Sequence, residues 1–201
     1  MRSARLRILV TFCLLLAGIV VSPSSRMRDH KPLANAVVLV IRHAEKPESG
    51  TGLTPEGERR AAAYAGYFEH YRIDGKPFKA SHIFATADTK KSYRERLTIE
   101  PYAHALGMQI DQRFKNADVE GLAQDLASND YGTAILICWH HGEIPALLKA
   151  LGADTHALVP ETTWPSDVFD RVIELHFDGN GKIDQADSKM VLEHLMPGDE
   201  K

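Results

Sequence analysis

The chain has 201 residues, 44% of them apolar, which is ordinary for a soluble fold and enough for one packed core plus a short extra segment. Its formal net charge is −3, and it has no run of lysine and arginine that could lie along nucleic acid. Any anion site must therefore be a small positive pocket inside an acidic protein, and nucleic acid is not expected as a partner.

Residues 1–22 have the form of a secretory leader. Arg2, Arg5 and Arg7 make a basic start, Ile8–Val21 are apolar, and Ser22, Ser24 and Ser25 supply small residues for cleavage. The apolar run is shorter than the roughly 20 residues of a membrane span. Export to the periplasm or exterior is expected, with an uncleaved N-terminal anchor as the alternative; only in that case is a membrane contact implied. Residues 1–22 carry three arginines and no acid, so without them the net charge moves from −3 to −6. Residues 23–35 are polar and rich in Ser, Pro and Arg, which predicts a linker. Residues 36–196 are expected to form the folded domain, and 197–201 a disordered tail.

Val37-Val38-Leu39-Val40-Ile41 predicts a strand buried on both faces, since four of its five apolar residues are β-branched. It stops on Arg42-His43-Ala44-Glu45. Ligands of an open α/β sheet bind beyond the carboxyl ends of such strands, so Arg42 and His43 stand where an anion could be held and attacked. After a glycine-containing loop, Thr54-Pro55-Glu56 opens a helix, with threonine as N-cap, proline in the first position and glutamate at the positive end of the dipole. Ala61, Ala65, Phe68 and Tyr71 form its apolar face.

His82–Thr86 predicts a second strand, followed by a helix over 92–106 that Gly107 ends. Pro101 is expected to bend or break that helix. Asp118–Ser128 is a further amphipathic helix. Thr133–Cys138 predicts a third buried strand, leading into Trp139-His140-His141-Gly142-Glu143 and a helix with Pro145 in its first turn. Asp167–Phe177 is a late strand and Asp178-Gly179-Asn180-Gly181 a turn. That turn lacks the closing glutamate of a calcium loop and carries Lys182 among its ligand positions, so calcium is not expected. Cys138 is expected to be a buried, inert thiol. No Cys/His spacing fits a structural zinc site, and no metal or cofactor is expected.

Three elements together resemble the histidine phosphatase superfamily, the phosphoglycerate-mutase-like fold. Arg42-His43-Ala44-Glu45 is similar to its Arg-His-Gly/Ala-Glu signature, and Gly52-Leu53-Thr54-Pro55-x-Gly57 to the segment that follows it. Ser92-x-Arg94-x3-Thr98-x-Glu100-Pro101 is similar to the second arginine element, with Lys90 where a serine is usual. The family's second histidine is commonly followed by Ile-Pro four and five residues on, and Ile144-Pro145 put it at His140. The resemblance implies a three-layer α/β/α sandwich with a mostly parallel central sheet.

It also implies metal-independent hydrolysis of phosphate monoesters through phosphorylated His43. His140 would be the second catalytic residue, and Arg42 and Arg94 would bind phosphate. Lys91 and Arg96 are the competitors for Arg94. A hydrogen bond from the other His43 nitrogen to a backbone carbonyl is expected to select the nucleophilic tautomer. Glu143 and Asp118 are the candidates for the general acid. Trp139 is expected to wall the pocket, and His141 to point away, because neighbours on an extended strand face opposite sides. A small phosphate ester is the expected substrate. The alternatives are a phosphohistidine-protein phosphatase, or a phosphate-ligand binding module that does not turn over.

Overall fold

The computed structural model describes residues 31–199; the expected leader at 1–22 lies outside the described residues. The first long strand, β1 (Val37–Arg42), forms where the β-branched run predicts it. It is paired on both sides and becomes the middle of a five-stranded sheet. Its parallel partner is β5 (Ala134–Trp139), in register Val37↔Ala134 to Arg42↔Trp139. Beyond β5 lies β4 (His82–Ala85), also parallel. On the other side β6 (Arg171–Phe177) and β7 (Ile183–Leu192) complete the sheet as an antiparallel pair, joined by the predicted turn. The short β2 (Arg72–Ile73) and β3 (Lys76–Pro77) form a separate hairpin.

The period of two along β1 decides the layers. Leu39 and Ile41 pack with Tyr64, Phe68 and Ile99, which belong to α1 (Pro55–His70) and α2 (Arg94–Leu106). Val38 and Val40 face the opposite way, into a core with Leu122, Leu126, Leu147 and Leu158. Those residues come from α3 (Val119–Leu126), α4 (Ile144–Ala150) and α5 (Thr155–Leu158). The three-layer α/β/α sandwich follows as expected. Among the described residues no helix is long and apolar enough to cross a membrane.

Local chemistry sets the element ends near the site. Thr54 caps α1 by accepting from the Gly57 amide at 3.0 Å, and Pro55 takes the first turn. A Cβ on Gly57 would lie 2.5 Å from the Glu45 carbonyl oxygen, so glycine lets α1 begin directly against the loop that follows His43. Pro101 sits inside α2 without ending it, and Gly107 closes that helix in the left-handed region at φ 65°.

Both ends of the expected domain extend further than composition suggests. Residues 32–35, placed in the linker, form a turn with Leu33 and Ala34 buried. Asp199, placed in the tail, is held by both terminal nitrogens of Arg60 at 3.0 and 2.7 Å. Arg60 also binds Glu45 through Nε at 2.9 Å, tying the last described turn to the loop after His43. Cys138 is fully buried with its thiol pushed well above the usual range by burial, so it is the inert core residue expected.

Candidate active site

The site forms where β1 and β5 end side by side. Because Arg42 is in register with Trp139, the residues following each strand emerge next to one another. The His43 amide adds one more ladder bond, to the Trp139 carbonyl at 3.2 Å. The ring centroids of His140 and His141 then lie 5.6 and 5.7 Å from that of His43.

His43 is completely buried. Its Nδ1 lies 2.7 Å from the Ala44 carbonyl oxygen, and a carbonyl only accepts, so Nδ1 carries the hydrogen. The lone pair is then on Nε2, which is buried and has no partner. Burial pushes the ring down to about 3, helped by the nearby Arg42, His140 and His141 against the opposing Ala44 bond. His43 is thus a neutral imidazole with an unpartnered nitrogen held away from bulk water, and its bond to the Ala44 carbonyl is the one expected to select this tautomer. Thr98 supports it from α2: its Oγ1 accepts from the Ala44 amide at 2.8 Å and donates to the Arg94 carbonyl at 2.8 Å.

Arg42 is also fully buried. One terminal nitrogen donates to the carbonyls of Pro165, Ser166 and Val168 at 3.0, 3.2 and 2.7 Å. Its guanidinium stacks 3.8 Å from the Phe169 ring centroid. Burial lowers it to about 10, which leaves it charged at neutral pH. Its Nε is buried without a partner. Buried polar atoms are rarely orphaned in native proteins. Among the described residues five buried side-chain atoms are, and His43 Nε2, with its lone pair, and Arg42 Nε, with its hydrogen, are two of them.

Arg94 stands at the rim. Its Nε donates to Gly52 O at 3.1 Å and one terminal nitrogen to Gly50 O at 2.5 Å. Its charge still lowers His140. The rival Arg96 is held by Asp88 and Glu100 on the surface, and Lys91 is exposed, so Arg94 is the member of the trio whose charge reaches the site.

The expectation that His141 points away is wrong. The strand ends at Trp139, and the His140 carbonyl accepts from the amides of Glu143 and Ile144 at 2.9 and 3.2 Å. The backbone has already turned, so the alternation of an extended strand no longer applies and both rings face His43. Trp139 is no pocket wall either. It is buried in the core on the α3–α4 side and donates to Asn116 O at 3.0 Å. Of the acid candidates, Asp118 is exposed at the start of α3. Glu143 is half-buried and its charge acts on His140. Glu95 carries no local signal in residue order. It is buried at the start of α2, and its charge is the first of those acting on His140, after burial, which lowers that ring.

One nitrogen from each of His43, His140 and His141 lies within 4.8 Å of the others, a spacing at which three imidazoles can hold a metal. The hydrogen bonds behind them oppose that use. Gly142 N–H donates to His140 Nδ1 at 3.1 Å, and Arg42 approaches His141 Nδ1 at 3.3 Å. Both rings therefore carry their hydrogens on Nε2. As bonded, the set presents one free lone pair, on His43 Nε2, and two N–H groups beside an arginine.

No family model matches the chain, and no curated protein matches it. Solved structures do. The chain is similar to a candidate phosphohistidine phosphatase SixA from Agrobacterium tumefaciens, at 20% identity and a TM-score of 0.51, over 82% of this chain and 99% of that one. It is also similar to a candidate alpha-ribazole-5′-P phosphatase from Escherichia coli, at 12% identity and a TM-score of 0.50, over 81% and 98%. At such identities the likeness is one of fold.

Proposed function

Starting from the histidine phosphatase fold, which this chain has, we propose that it is a metal-independent phosphoric monoester hydrolase working through phosphorylated His43. The observation that carries the reading is the His43 ring, with its hydrogen fixed on Nδ1 and its Nε2 lone pair buried and unpartnered. A phosphate monoester entering from the rim meets Arg94 first and places one oxygen against Arg42 Nε. His43 Nε2 attacks phosphorus, the bond to the alcohol oxygen breaks, and the Nδ1 hydrogen bond to Ala44 stabilises the charged ring. His140 Nε2–H faces the equatorial oxygens, where positioned donors lower the barrier to transfer. The alcohol oxygen takes a proton from a carboxyl group, for which Glu143 and Glu95 are the candidates. Water then attacks the phosphohistidine and releases phosphate.

Release of p-nitrophenol from p-nitrophenyl phosphate, measured with and without exhaustive chelation, tests this reading. Equal rates in the two conditions are expected. Activity that disappears with chelator and returns with a divalent ion removes the metal-independent mechanism, and no release at all favours a binding module.

The proposed place of action is the periplasm or cell exterior, supported by the basic start and short apolar run of residues 1–22. N-terminal sequencing of protein from fractionated cells is expected to find a new terminus near Ser22–Ser25. An intact Met1 in the cytosolic fraction refutes export.

A further inference from the structure

Two neighbouring imidazoles face His43, although a single second histidine would complete the site as proposed. Their centroids are 4.4 Å apart and their planes 31° from parallel. Each is fixed from behind by a different donor, Gly142 N–H for His140 and the Arg42 guanidinium for His141. We infer that His141 joins His140 as a donor to the phosphoryl group, presenting Nε2–H to an equatorial oxygen, and that Arg42 positions it.

This rests on the phosphatase reading above. Three features support it. The His141 ring is as close to His43 as the His140 ring is, edge-on at 72°. Arg42 can only donate, so His141 Nδ1 must accept, and the ring's one hydrogen is on the opposite nitrogen. The same Arg42 leaves Nε unpartnered, so one guanidinium both holds His141 and offers a donor of its own. The contact also sets what His141 does not do. To donate a proton to the leaving alcohol it would have to be doubly protonated, and a hydrogen on Nδ1 would face the guanidinium. His141 is therefore a donor to the transferring group and not the acid for the leaving group.

The test uses the full chain with His141→Ala and His141→Gln, and His140→Ala for comparison. Binding of inorganic phosphate is measured by calorimetry, and kcat/KM on p-nitrophenyl phosphate and on an alkyl phosphate. His141→Ala is expected to weaken phosphate binding about tenfold and to lower kcat/KM by about tenfold to a hundredfold, somewhat less than losing an oxyanion donor in a fully closed site. The factor is expected to be the same for both esters, because the leaving groups differ and the phosphoryl group does not. His141→Gln, whose amide N–H can stand near the Nε2–H position, is expected to recover most of the loss; a role in folding alone would not respond in that way.

Wild-type phosphate binding and turnover in His141→Ala overturn the inference. So does a loss confined to the alkyl ester, which would mark His141 as the acid, or a glutamine variant no better than alanine. If the wild-type protein binds phosphate but hydrolyses neither ester, the phosphatase reading falls while the binding measurement on His141→Ala still decides the inference. If the wild-type protein does not bind phosphate, both fall.

Discussion

Replacing His43 with alanine is expected to abolish turnover of p-nitrophenyl phosphate, by about 10⁶-fold, the scale seen when a covalent nucleophile is removed. The expectation follows from the ring's situation. Its Nε2 has no partner in the free protein, so the substitution breaks no hydrogen bond on the reactive side, and the fold should survive. Quenching wild-type enzyme with a labelled phosphate ester at alkaline pH should place the label at position 43, because phosphohistidine survives base and is lost in acid. The label should be absent from His43→Ala. The ring is held down to about 3 by burial, so from pH 8 to pH 5 it should stay neutral with its hydrogen on Nδ1, which ring-nitrogen NMR reads directly. A fully active His43→Ala, or label on Ser92, refutes the mechanism. A ring that titrates between pH 5 and pH 8 contradicts the burial argument.

The second large effect is expected at Arg42. Alanine there removes a buried cation and the unpartnered Nε donor of the proposed phosphate pocket, and a loss of about a thousandfold in kcat/KM is expected from donors of this kind. Because the same donor acts on bound substrate and on the transition state, KM should rise as kcat falls. Arg42 also holds the loop before β6. Its contacts to Pro165, Ser166 and Val168 span 123 to 126 residues of chain, and Phe169 stacks on its guanidinium. Each buried group left unsatisfied costs about 1–3 kcal/mol, so calorimetry should show a clearly lowered melting temperature together with the kinetic loss. Arg42→Lys keeps the charge but can neither reach three carbonyls nor stack as a plane, and should recover little of either. An alanine variant with wild-type thermal stability removes the loop-holding role, and one with unchanged KM removes the phosphate-binding role.

Much of this fold and part of this site are legible in residue order alone, because they depend on neighbours in sequence. The β-branched run before Arg42, the Thr54-Pro55 helix start and the Gly107 helix end act over a few residues, and each appears where local chemistry places it. The same holds for Arg42 and His43 at a strand end, whereas the choice of Arg94, four residues before Thr98, rests on the family resemblance. The double histidine was visible too, but strand alternation misassigned it, since the outcome depended on a turn that begins one residue after Trp139.

What the sequence determined by itself is therefore the set of strands and helices and the strand ends that carry histidine and arginine, since short-range sterics and period-two or period-3.6 burial suffice for these. Tertiary structure alone decided that Arg42 reaches carbonyls beyond residue 164, that His141 turns inward, that Glu95 is buried where its charge acts on His140, and that Arg60 joins Asp199 to Glu45. These contacts link elements scores of residues apart or hang on the path of one turn. Each side chain there could have been satisfied by water or by several other partners, and only the packed layers select among them.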